Sequence, residues 1–260
     1  MYTILNKISV LLFTYAYHLS ISMIRTISKL LLFILKRHRF ERFRSFIYSI
    51  LINFGISHSK DSIDKKLIKK LKLENSKGFF IEVGAVDGIT YSNSYLFEKK
   101  LGWNGLLVEP IHSEYKKCLS YRSSIVENFL LTDEENSDKE IKMIKAGPGS
   151  QIHEQNIKIA DSFHDKLKRM KKKRLIDGEE TVKSTTISRL LRKHSIKNVD
   201  IFFIDVEGSE KLVISGMDED INFTNVLCET EYPEEILKLL ERHGFRRYER
   251  IARNDYLFTK

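Results

Sequence analysis

The apolar positions change their rhythm along this chain. Residues 1–56 are apolar and basic, and from Ile8 to Ile24 there are 17 residues without a formal charge. After residue 77 the pattern becomes short apolar runs separated by turns and amphipathic stretches. Phe79 to Val83, Leu106 to Val108, Ser124 to Leu131, Lys139 to Ile144 and Asn225 to Glu229 read as strands. Asp200 to Asp205 (DIFFID) is wholly apolar between two acids, as expected of a parallel strand buried on both faces. Helical spacing appears from about Tyr91, over 112–121, from Ser188 to His194, and from Glu234 to His243, where Gly244 supplies a stop. Thr181 to Ile187 alternates as an edge strand. Phe245 to Ile251 and Asp255 to Thr259 predict a terminal hairpin. Strands alternating with helices imply an α/β fold with a mostly parallel, doubly wound sheet.

The stretch Phe79 to Pro110 organises the rest. It reads as strand, glycine turn, helix, strand, one βαβ unit. Gly84 and Gly88 let the backbone bend tightly and approach a ligand closely. Glu109 ends the second strand about 20 residues on, where an acid pairs with ribose hydroxyls in nucleotide-binding units. Val86 stands where a pyrophosphate loop wants bare backbone. S-adenosylmethionine, which has no phosphates, therefore fits better than a dinucleotide. The candidate cofactor contacts here are Glu82, Gly84, Asp87, Gly88, Ser92, Asn93 and Glu109.

Two blocks carry a family resemblance. DGITYSNSYLFEKKLGWNGLLVEP and, much later, DIFFIDVEGSEKLVISG resemble the paired signatures of the FkbM-type methyltransferases, in the same order. The resemblance runs from about Gly78 to Lys260. It implies a Rossmann-like methyltransferase sheet ending in a hairpin that inserts one antiparallel strand, and S-adenosylmethionine as cofactor. It also implies methyl transfer to a hydroxyl on a sugar, glycan or other small metabolite. In this class the end of the third strand lies near the adenine, which adds Asp133 to the cofactor candidates; its alternative is a solvated turn carboxylate. The loop AGPGSQIHEQN, residues 146–156, would lie over the cofactor facing the substrate. His153 within it is a candidate acid–base group.

Asp205 and Glu207 sit at the carboxyl end of the DIFFID strand, where open α/β sheets bind ligands. They could hold the methionine amino group, bind a divalent cation, or act as general base toward a hydroxyl. The alternative is capping of the following helix. Glu229 and Glu231 end the next strand and could line the substrate mouth. Cys118 and Cys228 have neither metal nor disulfide-framework spacing, so they read as packing residues in a reduced compartment.

Charge then divides the chain. Residues 1–56 hold eight Lys or Arg and one acid, Glu41; the remainder holds 36 basic and 34 acidic side chains. A nucleic-acid enzyme would spread its positive charge over the catalytic part. Nucleic acid is thus disfavoured as a partner, and RNA methylation with it. The basic excess belongs instead to an N-terminal helical extension. That extension reads as a spanning anchor, an interfacial helix or a packed extension. If it spans, the cluster Lys36 to Arg44 keeps the rest of the chain cytoplasmic. The organisation is therefore a membrane segment over 1–56, a linker and short helix over 57–77, and a methyltransferase domain over 78–260. Residues 157–175 form a basic helical stretch, either solvated or touching anionic lipid or glycan. The expected activity is O-methyl transfer at the cytosolic membrane face, to a small-molecule, sugar or lipid-linked glycan acceptor. The alternative from another class is a scaffold that keeps the fold without turnover.

Overall fold

A computed structural model of the chain describes Tyr48, Ile52 and residues 57–152 and 176–260. The chain forms two compact units, residues 1–57 and 58–260. The second unit carries the strands, the helices between them and the cleft. The expected anchor, the basic stretch 157–175 and His153 lie outside the described residues. Among the described residues, no helix is long and apolar enough to cross a membrane.

The elements run α1 (Ile63–Leu71), β1 (Phe79–Val83), β2 (Asn104–Val108), α2 (His112–Tyr121), β3 (Ile125–Glu127), β4 (Leu130–Leu131), β5 (Glu140–Lys145) and β6 (Gln151–Ile152). They continue with β7 (Gly178–Thr185), α3 (Ile187–Lys193), β8 (Asn198–Ile204), α4 (Glu210–Ser215), β9 (Asn222–Glu229), α5 (Pro233–Leu240), β10 (Arg247–Arg250) and β11 (Asp255–Thr259). Seven strands form one sheet in the order β10-β11-β9-β8-β1-β2-β3. The pairs β1–β2, β2–β3, β1–β8 and β8–β9 are parallel. The terminal hairpin folds back so that β11 pairs antiparallel with β9, leaving β10 at the edge. This is the Rossmann-like methyltransferase sheet that the sequence implies.

The parallel strands are apolar because both of their faces are covered. One face of the sheet carries Ile81, Val83, Phe202, Ile204 and Val226, packed against Ile187 and Leu191 of α3, Val213 of α4, and Ile236 and Leu240 of α5. On Phe203, Phe97 packs edge-on with ring centroids 5.6 Å apart, and Trp103 meets Phe97 at 5.1 Å. Helix starts follow local chemistry: the Thr186 side chain accepts the Arg189 N–H, and Pro233 opens α5.

Three expectations need correction. The helix read from Tyr91 begins only at Tyr95 and winds as a π-helical segment over Phe97–Leu101. Residues 92–94 are committed elsewhere: Ser92 Oγ, Asn93 N–H and Ser94 Oγ all donate to the buried Glu82 carboxylate, at 2.7, 2.7 and 2.6 Å. The strand read over 124–131 is broken at Asn128, whose amide donates to the carbonyls of Glu109 and Pro110. Its two halves join different sheets, β3 the large one and β4 a second sheet ordered β4-β7-β5-β6. In that second sheet β7 is an interior strand, not an edge.

A charge in the middle of a buried parallel strand is costly unless paired. Arg122 supplies the pairing. Its side chain is fully buried and lies 3.6 Å from Glu82 and 2.9 Å from Glu98. It also donates to the Gly88 carbonyl at 2.8 Å and to Ser94 at 2.8 Å. Its guanidinium lies over the rings of Tyr95 and Phe80. Burial would raise the Glu98 pKa, but Arg122, Lys99 and Ser124 outweigh it and hold Glu98 down at about 2. Replacing Arg122 by Met leaves buried Glu82 without its cation and Glu98 with Lys99 alone. We expect a loss of about 3–5 kcal/mol of stability by urea denaturation. A loss below about 1 kcal/mol would mean that the network does not carry the fold.

Candidate active site

The site is a cleft at the carboxyl ends of β1, β2 and β8. One lobe is lined by Gly84, Val86, Glu109, Phe129, Leu130, Met143, Pro148, Asp205 and Glu207, among others. A second lobe adds Glu82, Thr90, Tyr91, Ser92, Asn93 and Phe203. Gly84, Val86, Pro148 and Asp205 line both lobes. The Gly147–Ser150 part of the 146–156 loop therefore does reach the cleft.

The floor is the turn after β1. Gly84 has φ +78°, and a Cβ there would stand 2.0 Å from the Asp205 carbonyl oxygen. This glycine is needed where β1 and β8 converge, a constraint set by the protein's own backbone before any ligand is considered. Val86 is held at φ +50°, a left-handed conformation that a β-branched residue rarely adopts. Its peptide is pinned on both sides: the N–H donates to Glu109 at 2.8 Å, and the carbonyl accepts from the Cys118 thiol at 3.0 Å. Cys118 is thus more than packing.

Glu109 is 4% exposed. Its other oxygen accepts the Ile111 N–H at 2.9 Å. Burial raises its pKa to about 8, against the pull of those two amides. Each oxygen retains a second lone-pair site. Phe129, Leu130 and Met143 beside it give that lobe an apolar wall.

Asp205 and Glu207 frame the opposite wall. Asp205 is exposed to the cleft, with Glu207, Glu210 and Glu229 near it. Desolvation and the repulsion of Glu229 and Glu207 raise its pKa well above the ordinary carboxyl range, helped by a hydrogen bond with Glu229. Burial likewise raises Glu210 to about 7 and Asp255 to about 6. The cation in this group is Lys60, 3.3 Å from Glu229. Burial would lower the Lys60 pKa, but Glu229, Asp205 and Asp255 more than offset it.

The structure brings Glu82, Gly84, Ser92, Asn93, Glu109, Asp205 and Glu207 to the cleft walls. Within that set the Glu82 carboxylate is committed to Ser92, Asn93 and Ser94. Asp87 and Gly88 lie outside the lining. Asp87 closes the turn instead, accepting from Ile89 N–H, Thr90 N–H and Thr90 Oγ1. Asp133 holds Asn136 through its backbone and side-chain amides, the turn role that was its alternative. Among the described residues, no three His, Cys, Asp or Glu side chains are grouped to hold a metal ion. The linker supplies what sequence reasoning passed over. Ser59 Oγ donates to Asn93 at 2.5 Å and Lys60 reaches Glu229. Nothing in KDS, between two hydrophilic stretches, signals this.

Residues 82–247 match the family model described as the methyltransferase FkbM domain. The chain belongs to the FkbM methyltransferase family. It is accordingly a methyltransferase of the S-adenosylmethionine-dependent kind. A solved structure, the crystal structure of a SAM dependent methyltransferase from Aquifex aeolicus, is similar at 13% identity, covering 92% of this chain and 97% of that one, with a TM-score of 0.35. So low a score carries no weight here. Comparison with curated proteins finds no match.

Fitting S-adenosylmethionine against these walls is direct. An apolar lobe with a carboxyl at its edge suits a nucleoside, and the acidic wall suits a cationic sulfonium and ammonium. The same carboxyls give a pH signature. Glu109, Glu210 and Asp255 hold protons in the folded state that the unfolded chain releases above about pH 4.5. Their contribution to stability therefore falls as pH rises from about 4.5 to about 8. Glu98 acts oppositely, losing its contribution as pH falls toward about 2. Chemical denaturation across this range is expected to show the upper decline, and Glu210→Gln to flatten part of it up to about pH 7. Equal slopes in the two proteins would contradict the burial of Glu210.

Proposed function

We propose that this FkbM-family enzyme methylates a hydroxyl of a sugar, glycan or small metabolite, with a lipid-linked glycan at the cytosolic membrane face as the acceptor class. The observation that carries the reading is Asp205, a carboxyl of raised pKa that opens into the cleft at the end of β8. A hydroxyl must lose its proton as it becomes an ether, and a base is most useful when its pKa lies near the working pH. Asp205, raised above the ordinary carboxyl range, is a stronger base than a surface carboxylate.

Bound S-adenosylmethionine supplies an electrophilic methyl group. The protein's part is to hold and to remove a proton. Glu109 would hold the ribose hydroxyls, the Gly84–Val86 turn would sit under the cofactor, and Phe129, Leu130 and Met143 would face its ring. Asp205 would take the hydroxyl proton at a carboxylate oxygen. Glu229, hydrogen-bonded to it, would steady the neutral acid so formed. Glu207 adds negative potential beside the cationic centre. The main rate gain is positional, from holding the hydroxyl in line with the methyl group.

The membrane part of the proposal rests on the composition of residues 1–56, apolar, basic and joined to the catalytic unit. The test is transfer of radiolabelled methyl groups by the full-length chain into a chloroform–methanol extract rich in lipid-linked glycans, followed by separation of alkali-stable products. Label in a methyl ether is expected. Asp205→Asn should lower the rate on the order of 10²–10⁴-fold while leaving cofactor binding measurable. Label in nitrogen-linked or RNA products, or an unaffected Asp205→Asn enzyme, would contradict the reading.

A further inference from the structure

Helix α1 presents a basic face beside the terminal hairpin. Lys66, Lys69 and Lys70 are exposed and spaced so that they share one side of the helix. That side meets the hairpin: Lys66 Nζ donates to the Ile251 carbonyl at 3.3 Å, and Lys70 pairs with Glu249 at 2.5 Å. Exposed Arg250 and Arg253 flank Ile251 in sequence. Five cations thus gather at one edge of the sheet, with Glu249, Asp61 and the buried Asp255 among the acids near them. The helix's opposite side, Ile63, Leu67 and Ile68, is buried.

We propose that this face, α1 with the β10–β11 hairpin, docks on the headgroups of an anionic lipid bilayer. The inference rests on the membrane placement proposed above and gives it an orientation. Three observations favour lipid over nucleic acid. The apolar, basic stretch 1–56 precedes α1 by only a few residues, so a lipid attachment made there would tether α1 close to the same surface. The patch is dominated by cations, the complement of acidic headgroups. The large apolar side chains exposed among the described residues are Tyr91, Leu119 and Tyr232, none on α1 or the hairpin, and the hairpin's Tyr248 and Tyr256 are half-buried and packed edge-on against each other, which disfavours base stacking on this face.

The orientation has a functional consequence. The turn leading into α1 is the one that touches the cleft, through Ser59 on Asn93 and Lys60 on Glu229. Docking α1 brings this rim of the cleft toward the bilayer, where a lipid-linked acceptor presents its sugar.

Cys118 and Cys228 are both buried, so an introduced exposed cysteine can carry a polarity-sensitive dye selectively. The full-length chain would be labelled at Glu74→Cys, just beyond α1, or at Leu119→Cys on α2, which packs by β3 at the other edge of the sheet. Vesicles of phosphatidylcholine alone and with about a third phosphatidylglycerol would be compared. On anionic vesicles the dye at position 74 should shift to the blue and be quenched by brominated lipid, and the dye at 119 should not. Lys66→Gln with Lys69→Gln and Lys70→Gln should weaken the anionic-vesicle affinity ~100-fold and abolish the shift. The corresponding three Lys→Arg changes should preserve both, which separates lost charge from lost folding. If the full chain binds vesicles but the Gln variant binds them equally, the patch is merely solvated and this proposal fails alone. If the full chain binds no vesicle, the membrane placement fails with it. Patch-dependent binding to poly(U), with vesicle binding unchanged, would make the partner RNA and overturn the proposal.

Discussion

The buried Arg122 is the contact on which the architecture depends. Glu82 occupies a central parallel strand, where a carboxylate would ordinarily unfold the sheet. Arg122 reaches it from the far end of α2 and ties in Glu98, Ser94 and the Gly88 carbonyl. The same carboxylate takes up the donors of residues 92–94. This has two linked consequences. The chain after β1 cannot begin a regular helix until Tyr95, and the turn that floors the cleft is clamped from below. The charge is costly to bury, and it fixes one conformation of the loop against which a cofactor must fit.

Above that floor, burial is used to weaken acids. Glu109, Asp205, Glu210 and Asp255 all titrate above the usual carboxyl range, through desolvation and, at Asp205, the repulsion of Glu229 and Glu207 as well. Glu98, also enclosed, goes the other way because Arg122 is beside it. The contrast separates the two classes of carboxyl in this molecule. Glu82 and Glu98 are paired with Arg122 and structural, whereas Glu109 and Asp205, which line the cleft, stand among other carboxyls. Lys60 is the exception that reaches across, and it comes from outside the family-matched region 82–247.

Much of this is legible in the residues. An apolar run between two acids implies a strand covered on both faces, and β8 is that strand. The hairpin declares itself by alternation around Ala252-Arg253-Asn254, and β11 enters the sheet antiparallel. Glu109 and Asp205 are found by position alone, since strand ends in open sheets are where ligands bind. The hidden part is set by side-chain commitments that periodicity does not carry. Asn128 splits an apparent strand because its amide is spent on Glu109 and Pro110. Asp87 and Asp133 look like site acids, but they serve their own turns. Gly84 reads as room for a ligand, and it is first of all room for the Asp205 carbonyl.

The central claim is that the cleft between Glu109 and Asp205 is the S-adenosylmethionine site. Calorimetric titration of the full-length chain with S-adenosylmethionine, beside Glu109→Ala, tests it most directly. Saturable one-to-one binding that the substitution weakens by at least about tenfold, a loss of about 1.4 kcal/mol, is the predicted result. Equal affinity in a folded Glu109→Ala protein would place the cofactor elsewhere and contradict the account.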